Sequence, residues 1–120
     1  MLLKKKQNKH HKVKFKVNNY LSKLFQNISS KIVKAKKIIN SNKNKTIAIY
    51  GVGGLTISIL YYLSNTKKYI NFYYDNDKRK YGNYIPLTNL KVKKPSEIKL
   101  DRPDIIIFIN NLIYKKIKNK

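Results

Sequence analysis

Thr46-Ile47-Ala48-Ile49-Tyr50-Gly51-Val52-Gly53-Gly54-Leu55-Thr56 is a short apolar run that breaks into a glycine turn and then takes up helical spacing. A run of this kind, bounded by a charged loop and a glycine turn, reads as a buried parallel strand. Beyond the turn, Leu55, Ile59, Tyr62 and Leu63 recur at helical spacing up to Ser64. A glycine turn between strand and helix lets the backbone approach a phosphate, and the helix N-terminus adds unpaired N–H groups and a partial positive charge. Gly51 and Gly53 match the first two glycines of G-x-G-x-x-G, whereas the third position is Thr56. Gly51, Gly53, Gly54 and Thr56 are therefore candidate ligand-holding residues. Gly53 is expected at the strand-to-helix junction with its Cα toward the ligand, and a positive φ there would be cheap only for glycine.

Working outward, the downstream chain continues the alternation. Tyr69 to Tyr74 reads as a second strand closed by Asp75-Asn76-Asp77, Leu90 to Val92 as a short third strand, and Pro95-Ser96-Glu97 as a helix start. Arg102-Pro103-Asp104 leads into Ile105-Ile106-Ile107-Phe108-Ile109, the most strand-like run in the chain, and Asn110 onward reads as a final basic helix. This order predicts an α/β fold: a Rossmann-like three-layer unit over residues 46–120, with a small parallel sheet in which 46–50 lies between 69–74 and 105–109. Asp75 ends the second strand, where an acid accepts hydrogen bonds from ribose hydroxyls; the competing reading is an Asp that only caps its own loop. Asp77 joins it as a candidate, and Lys78 and Arg79 read as solvated loop charges.

Upstream, residues 1–14 read as a basic disordered tail, with too little apolar surface to offset the entropy of ordering. From Val17 the residues Val17, Leu21, Leu24, Ile28, Ile32, Ala35 and Ile39 recur at spacings of three and four, predicting an amphipathic helix packed on the following domain. With its connector this helix fills residues 15–45. Lys and Arg number 28 against 5 acids, a net charge of +23, and all five acids lie between Asp75 and Asp104. Such a balance suits nucleic acid or another anionic surface, reached through residues 1–45. The same skew toward Lys, Asn, Ile and Tyr also follows from an A/T-rich coding bias, so charge does not decide function. The absence of Cys excludes disulfides and thiol–metal sites. His10 and His11 read as tail residues rather than metal ligands.

Thr46 to Thr66 is uncharged and long enough to cross a bilayer, but its glycines and polar residues disfavour insertion, so no membrane span is expected. The apolar part of Met1-Leu2-Leu3 is too short for a signal peptide, and a cytoplasmic location is expected.

Four stretches in order carry a resemblance: Ile49-Tyr50-Gly51-Val52-Gly53-Gly54; Tyr74-Asp75-Asn76-Asp77 with Tyr81-Gly82-Asn83-Tyr84-Ile85-Pro86; Lys94-Pro95-Ser96-Glu97-Ile98; and Asp101-Arg102-Pro103-Asp104 before an apolar strand. Together they resemble the C-terminal domain of sugar C-methyltransferases over about residues 15–118. The resemblance implies a Rossmann-like domain that helps hold a nucleotide-linked sugar, while a separate upstream domain binds S-adenosylmethionine and transfers the methyl group. A similar pattern occurs in nucleotide-sugar-modifying proteins of capsule synthesis. The unit is expected to stand without the methyltransferase domain and cysteine-rich zinc segment that precede it in the family. A last strand after the final helix is also expected to be missing.

The expectation is a nucleotide-sugar-binding module, accessory or incomplete, with no cofactor or catalytic group of its own. S-adenosylmethionine is then implied for a separate methyltransferase subunit. The alternatives are a basic RNA- or polyanion-binding protein and, third, a small single-span membrane protein.

Overall fold

The computed structural model describes residues 2–117, with side chains from Asn19 onward except that of Ile113. His10 and His11 therefore lie outside the described side chains. The chain divides into two compact units, residues 1–30 and 31–120. Helix α1 spans Leu2–Asn40, so helical backbone begins well before Val17 and runs through the segment expected to be a structureless tail. Lysine, the commonest residue of that segment, is a good helix former and does not oppose the extension.

Within the second unit the predicted alternation is present. Strand β1 is Ile47–Tyr50, α2 Gly54–Leu63, β2 Ile70–Tyr74, β3 Val92–Lys93, α3 Ile98–Asp101, β4 Ile105–Phe108 and β5 Ile113–Lys116. The strands form one sheet in the order β3-β2-β1-β4-β5. β1 pairs in parallel with both β2 and β4, the central placement predicted for 46–50. Residues 46–66 are strand, turn and helix, and no helix among the described residues is long and apolar enough to cross a membrane.

One element differs in kind. Asn110 onward was predicted as a basic helix, yet Ile113–Lys116 is an antiparallel edge strand on β4. Asn110 to Leu112 reverse the chain, with Leu112 at a φ of 47°. The open ladder of β4 then captures a segment beginning with a β-branched and an aromatic residue, types that suit a pleated surface. Among the described residues the last element is thus a strand, where a final helix with no strand after it was expected. The third strand is also shifted, to Val92–Lys93, with an isolated antiparallel bridge between Tyr84 and Lys91.

Alternation along β1 and β4 divides the core between the sheet's two faces. Ile47, Ile49, Ile105 and Ile107 pack with Ile59, Leu60 and Leu63 of α2 and with Ala35, Ile38 and Ile39 from the end of α1. Ala48, Ile106 and Tyr74 occupy the other face, with Tyr50, Phe72, Phe108 and Ile98 of α3 against them. The end of α1 is fixed by Asn42, whose side-chain amide donates to the Ile38 carbonyl at 2.6 Å. Across the sheet's lower edge, the Thr46 N–H donates to the Asp104 carboxylate at 2.7 Å, which aligns β1 with β4.

Tyr73 is fully buried, and its hydroxyl has no hydrogen-bond partner among the described residues. A buried unsatisfied hydroxyl carries a desolvation cost with no compensating bond. Tyr73→Phe is therefore expected to leave the fold intact and to stabilise it by about 1 kcal/mol. Urea unfolding of the two proteins checks this, and a clear loss of stability would mean that the hydroxyl has a partner.

Candidate functional site

The order of the strands sets where a ligand can enter. From β1 the chain moves outward through β2 to β3, then returns to the other side of β1 as β4. Adjacent strands whose connections leave in opposite directions open a crevice at their carboxyl ends. A cavity of about 340 Å³ lies there, lined by Tyr50 at the end of β1 and Gly51 beyond it, Asp75 and Asn76 after β2, and Phe108 at the end of β4 with Ile109, Asn110 and Asn111 beyond it. The rings of Tyr50 and Phe108 stack at 5.6 Å between centroids.

The glycine turn leads from this crevice into α2. Gly51 has a φ of 106°, and Gly53, with a φ of −123°, is the N-cap of α2. The positive φ anticipated at Gly53 thus belongs to Gly51, because the chain reverses as it leaves β1 and is extended again before the helix. A Cβ on Gly53 or on Gly54 would meet no heavy atom within 4 Å, so the space above both is open. No side chain among the described residues caps the N-terminus of α2. The first backbone N–H groups of a helix have no partners within it, and here they border that open space.

Thr56 supplies what the missing third glycine suggests is lacking. It is fully buried, and its hydroxyl donates to the Gly51 carbonyl at 2.5 Å, tying the first turn of α2 to the end of β1. The residue is thus a clasp beneath the turn, with its hydroxyl turned inward.

Asp75 is likewise committed to the turn. One carboxylate oxygen accepts the Val52 N–H at 2.7 Å and the other accepts the Asp77 N–H at 2.8 Å. Lys80 donates to the same carboxylate at 3.3 Å and to the Val52 carbonyl at 2.6 Å. Partial burial pushes the Asp75 carboxyl up, but the two N–H groups and Lys80 together outweigh it and hold the group below its ordinary value. Asp77 faces its own loop, accepting from the Arg79 N–H at 3.0 Å and from its guanidinium at 2.9 Å, which pulls its carboxyl down to about 2. The structure therefore places Gly51 and Asp75 at the crevice, Gly53 and Gly54 at the open helix end, Thr56 beneath the turn and Asp77 away on the loop.

A carboxyl depressed in the folded state contributes stability above its unfolded value near 3.8, and that contribution is lost as pH falls through the folded value. Asp75→Asn is expected to cost about 1–3 kcal/mol at neutral pH, the range for bonds to a charged group. It should also flatten the decline in stability below about pH 4. Acid titration of the unfolding free energy measures both, and an unchanged acid limb would show that the carboxylate does not hold the turn.

Tyr50, Asn76, Phe108, Asn110 and Asn111 were not anticipated from the sequence. The Tyr50 hydroxyl donates to the side-chain oxygen of Asn76, linking the loops after β1 and β2. Burial, then the neighbouring Tyr81 and Asp75, raise the Tyr50 hydroxyl above its usual value, so it remains a donor. A usable signal was present: Asn110-Asn111 directly follows the most strand-like run, at a carboxyl end that borders the switch point. Amide groups, a phenol and two stacked rings suit hydroxyls and flat polar edges, whereas the bare helix end suits an anion.

A family model described as the C-methyltransferase C-terminal domain matches residues 3–120. No curated protein and no solved structure matches the chain.

Proposed function

From the premise that this chain belongs to the C-methyltransferase C-terminal domain family, we propose that its second unit binds a nucleotide-linked sugar as a partner to methyl transfer carried out elsewhere. The observation that carries this reading is the glycine turn at the switch point. Gly53 and Gly54 leave open space over the uncapped end of α2, beside a crevice lined by Tyr50, Phe108 and three asparagines. In this reading the diphosphate lies over Gly53 and Gly54, and the helix N–H groups with their partial positive charge receive it. The uncharged end of the ligand enters the crevice, where Asn76, Asn110 and Asn111 bond its hydroxyls or base edge. Gly51, Thr56 and Asp75 act by holding the turn in shape, and Asp77 by shaping the loop that follows.

Methyl transfer itself would belong to a separate domain or subunit carrying S-adenosylmethionine, and a cytoplasmic location agrees with a nucleotide-linked substrate. Isothermal calorimetry with uridine-, thymidine- and guanosine-diphosphate sugars tests the reading. Binding should persist as salt rises, since N–H groups and amides supply most of it. Heats that vanish at high salt would support the second reading, a polyanion-binding protein, whose affinity falls steeply as counterions compete. That reading is favoured by α1, where Lys23, Lys31, Lys34, Lys36 and Lys37 face no acid within the helix.

A further inference from the structure

The stretch Tyr81-Gly82-Asn83-Tyr84-Ile85-Pro86 has no part in the switch-point crevice, yet it is built into a defined hairpin. The Gly82 N–H donates to the Val92 carbonyl at 2.9 Å, the Val92 N–H returns to Asn83 at 2.9 Å, and the Ile85 N–H donates to Leu90 at 2.9 Å. The Thr88 hydroxyl closes the bend on the Ile85 carbonyl at 2.8 Å. Alternation then sends Val92 into the core and leaves Lys91 and Lys93 on the opposite side of the strand.

The result is a cleft of about 500 Å³ whose walls include Phe72, Tyr81, Tyr84, Lys91, Lys93 and Lys94. Each ring carries a cation. Lys91 Nζ lies 4.9 Å from the centroid of Tyr84, Lys93 Nζ 5.0 Å from Phe72, and Lys94 Nζ 6.0 Å from Tyr81. A second hollow of about 500 Å³ adjoins through Tyr81 and Lys94 and adds Lys78. The charge is only partly cancelled, although Glu97 also lines the cleft. Lys93 is paired with Asp101 at 2.7 Å, and the Glu97 carboxylate accepts the Lys94 backbone N–H at 2.8 Å. Lys78, Lys91 and Lys94 have no acid within ion-pair distance among the described residues.

We propose that this groove along β3 binds single-stranded nucleic acid, at a site separate from the glycine turn. Rings and cations interleaved along a groove are what a single strand uses: bases stack on the rings while phosphates meet the ammonium groups. Tyr84 is 67 % exposed, so the face of its ring not covered by Lys91 is open to a base. Two adjoining hollows sharing Tyr81 and Lys94 suit a chain of nucleotides better than one compact molecule. The net charge of +23 complements the ligand.

The test is fluorescence titration of a short oligothymidylate carrying 2-aminopurine, with the full chain in about 0.15 M salt. Tyr84→Ala removes a ring without changing charge, and Lys91→Gln with Lys94→Gln removes two charges from the groove. The control is Lys43→Gln with Lys68→Gln, which removes two charges from another lysine–tyrosine cluster, where both ammonium groups lie over Tyr69 at 5.1 and 5.2 Å. Both groove variants are expected to bind at least about tenfold more weakly, and Tyr84→Ala should lose the stacking quench. The control should stay within about twofold of the parent. No binding by the parent, equal losses in the two double variants, or an undiminished quench in Tyr84→Ala would each overturn the proposal. Because the glycine turn is untouched in all of these, failure here leaves the nucleotide-sugar reading standing.

Discussion

Gly51→Ala is expected to destabilise the protein by about 2–4 kcal/mol, from backbone strain and overpacking together. At a φ of 106° the backbone of residue 51 is in a region that side-chain-bearing residues rarely adopt. A Cβ there would also stand 2.9 Å from Ile109 Cγ2. Ile109 cannot easily step aside, being buried and held by its N–H to the Tyr50 carbonyl at 3.2 Å. Residue 51 is itself pinned from two directions. Its N–H donates to the Tyr74 carbonyl at 2.8 Å and its carbonyl accepts from Thr56. Relaxing the strain would therefore disturb the ends of β1, β2 and β4 at once. Gly53→Ala, where φ is ordinary and the space is open, is the matched control and should unfold with nearly the parent's midpoint. Urea unfolding of the three proteins decides the matter, and a Gly51→Ala protein as stable as the parent would show that the turn is not built as described.

How much of this could be read beforehand depended on the range of the forces involved. The strands at 46–50, 69–74 and 105–109 declare themselves through local apolar runs, and the glycine turn fixes the order of strand and helix between the first two. The parallel sheet with 46–50 in the centre followed from those alone. Ile113–Lys116 was misread because its lysines suit a helix, while the deciding influence is the unpaired edge of β4, a partner distant in space. Asp75 was legible as an acid at the end of β2, but its binding to the Val52 N–H crosses from one loop to another, and spacing alone does not distinguish that from an acid waiting for a ligand. Thr56 seemed a departure from a glycine pattern because a pattern lists backbone needs and omits the hydroxyl that can meet one of them from below. The crevice residues Asn76, Asn110 and Asn111 lie in loops without periodicity, and only the topology of the sheet brings them together.

Gly53→Val has the second large expected effect, and it falls on binding rather than on stability. A Cβ at this position meets no heavy atom within 4 Å and the backbone is extended, as any residue can adopt, so the sheet and α2 should form as in the parent. Its methyl groups would instead fill the open space over the N–H groups of α2, the place assigned to the diphosphate. Losing close approach to several N–H donors should weaken binding by tenfold to a hundredfold, about 1.4–2.7 kcal/mol. The comparison with Gly51→Ala separates the two roles of one turn: a glycine required by the fold, and a glycine required by the ligand.

The most direct test of the central claim is calorimetric titration of the parent and of Gly53→Val with a panel of nucleoside-diphosphate sugars, with thermal melting recorded on both. The account predicts saturable binding of at least one such sugar by the parent, and binding at least about tenfold weaker by Gly53→Val at an unchanged melting temperature. A parent that binds none of the panel, or a Gly53→Val protein that binds as tightly as the parent, would contradict it.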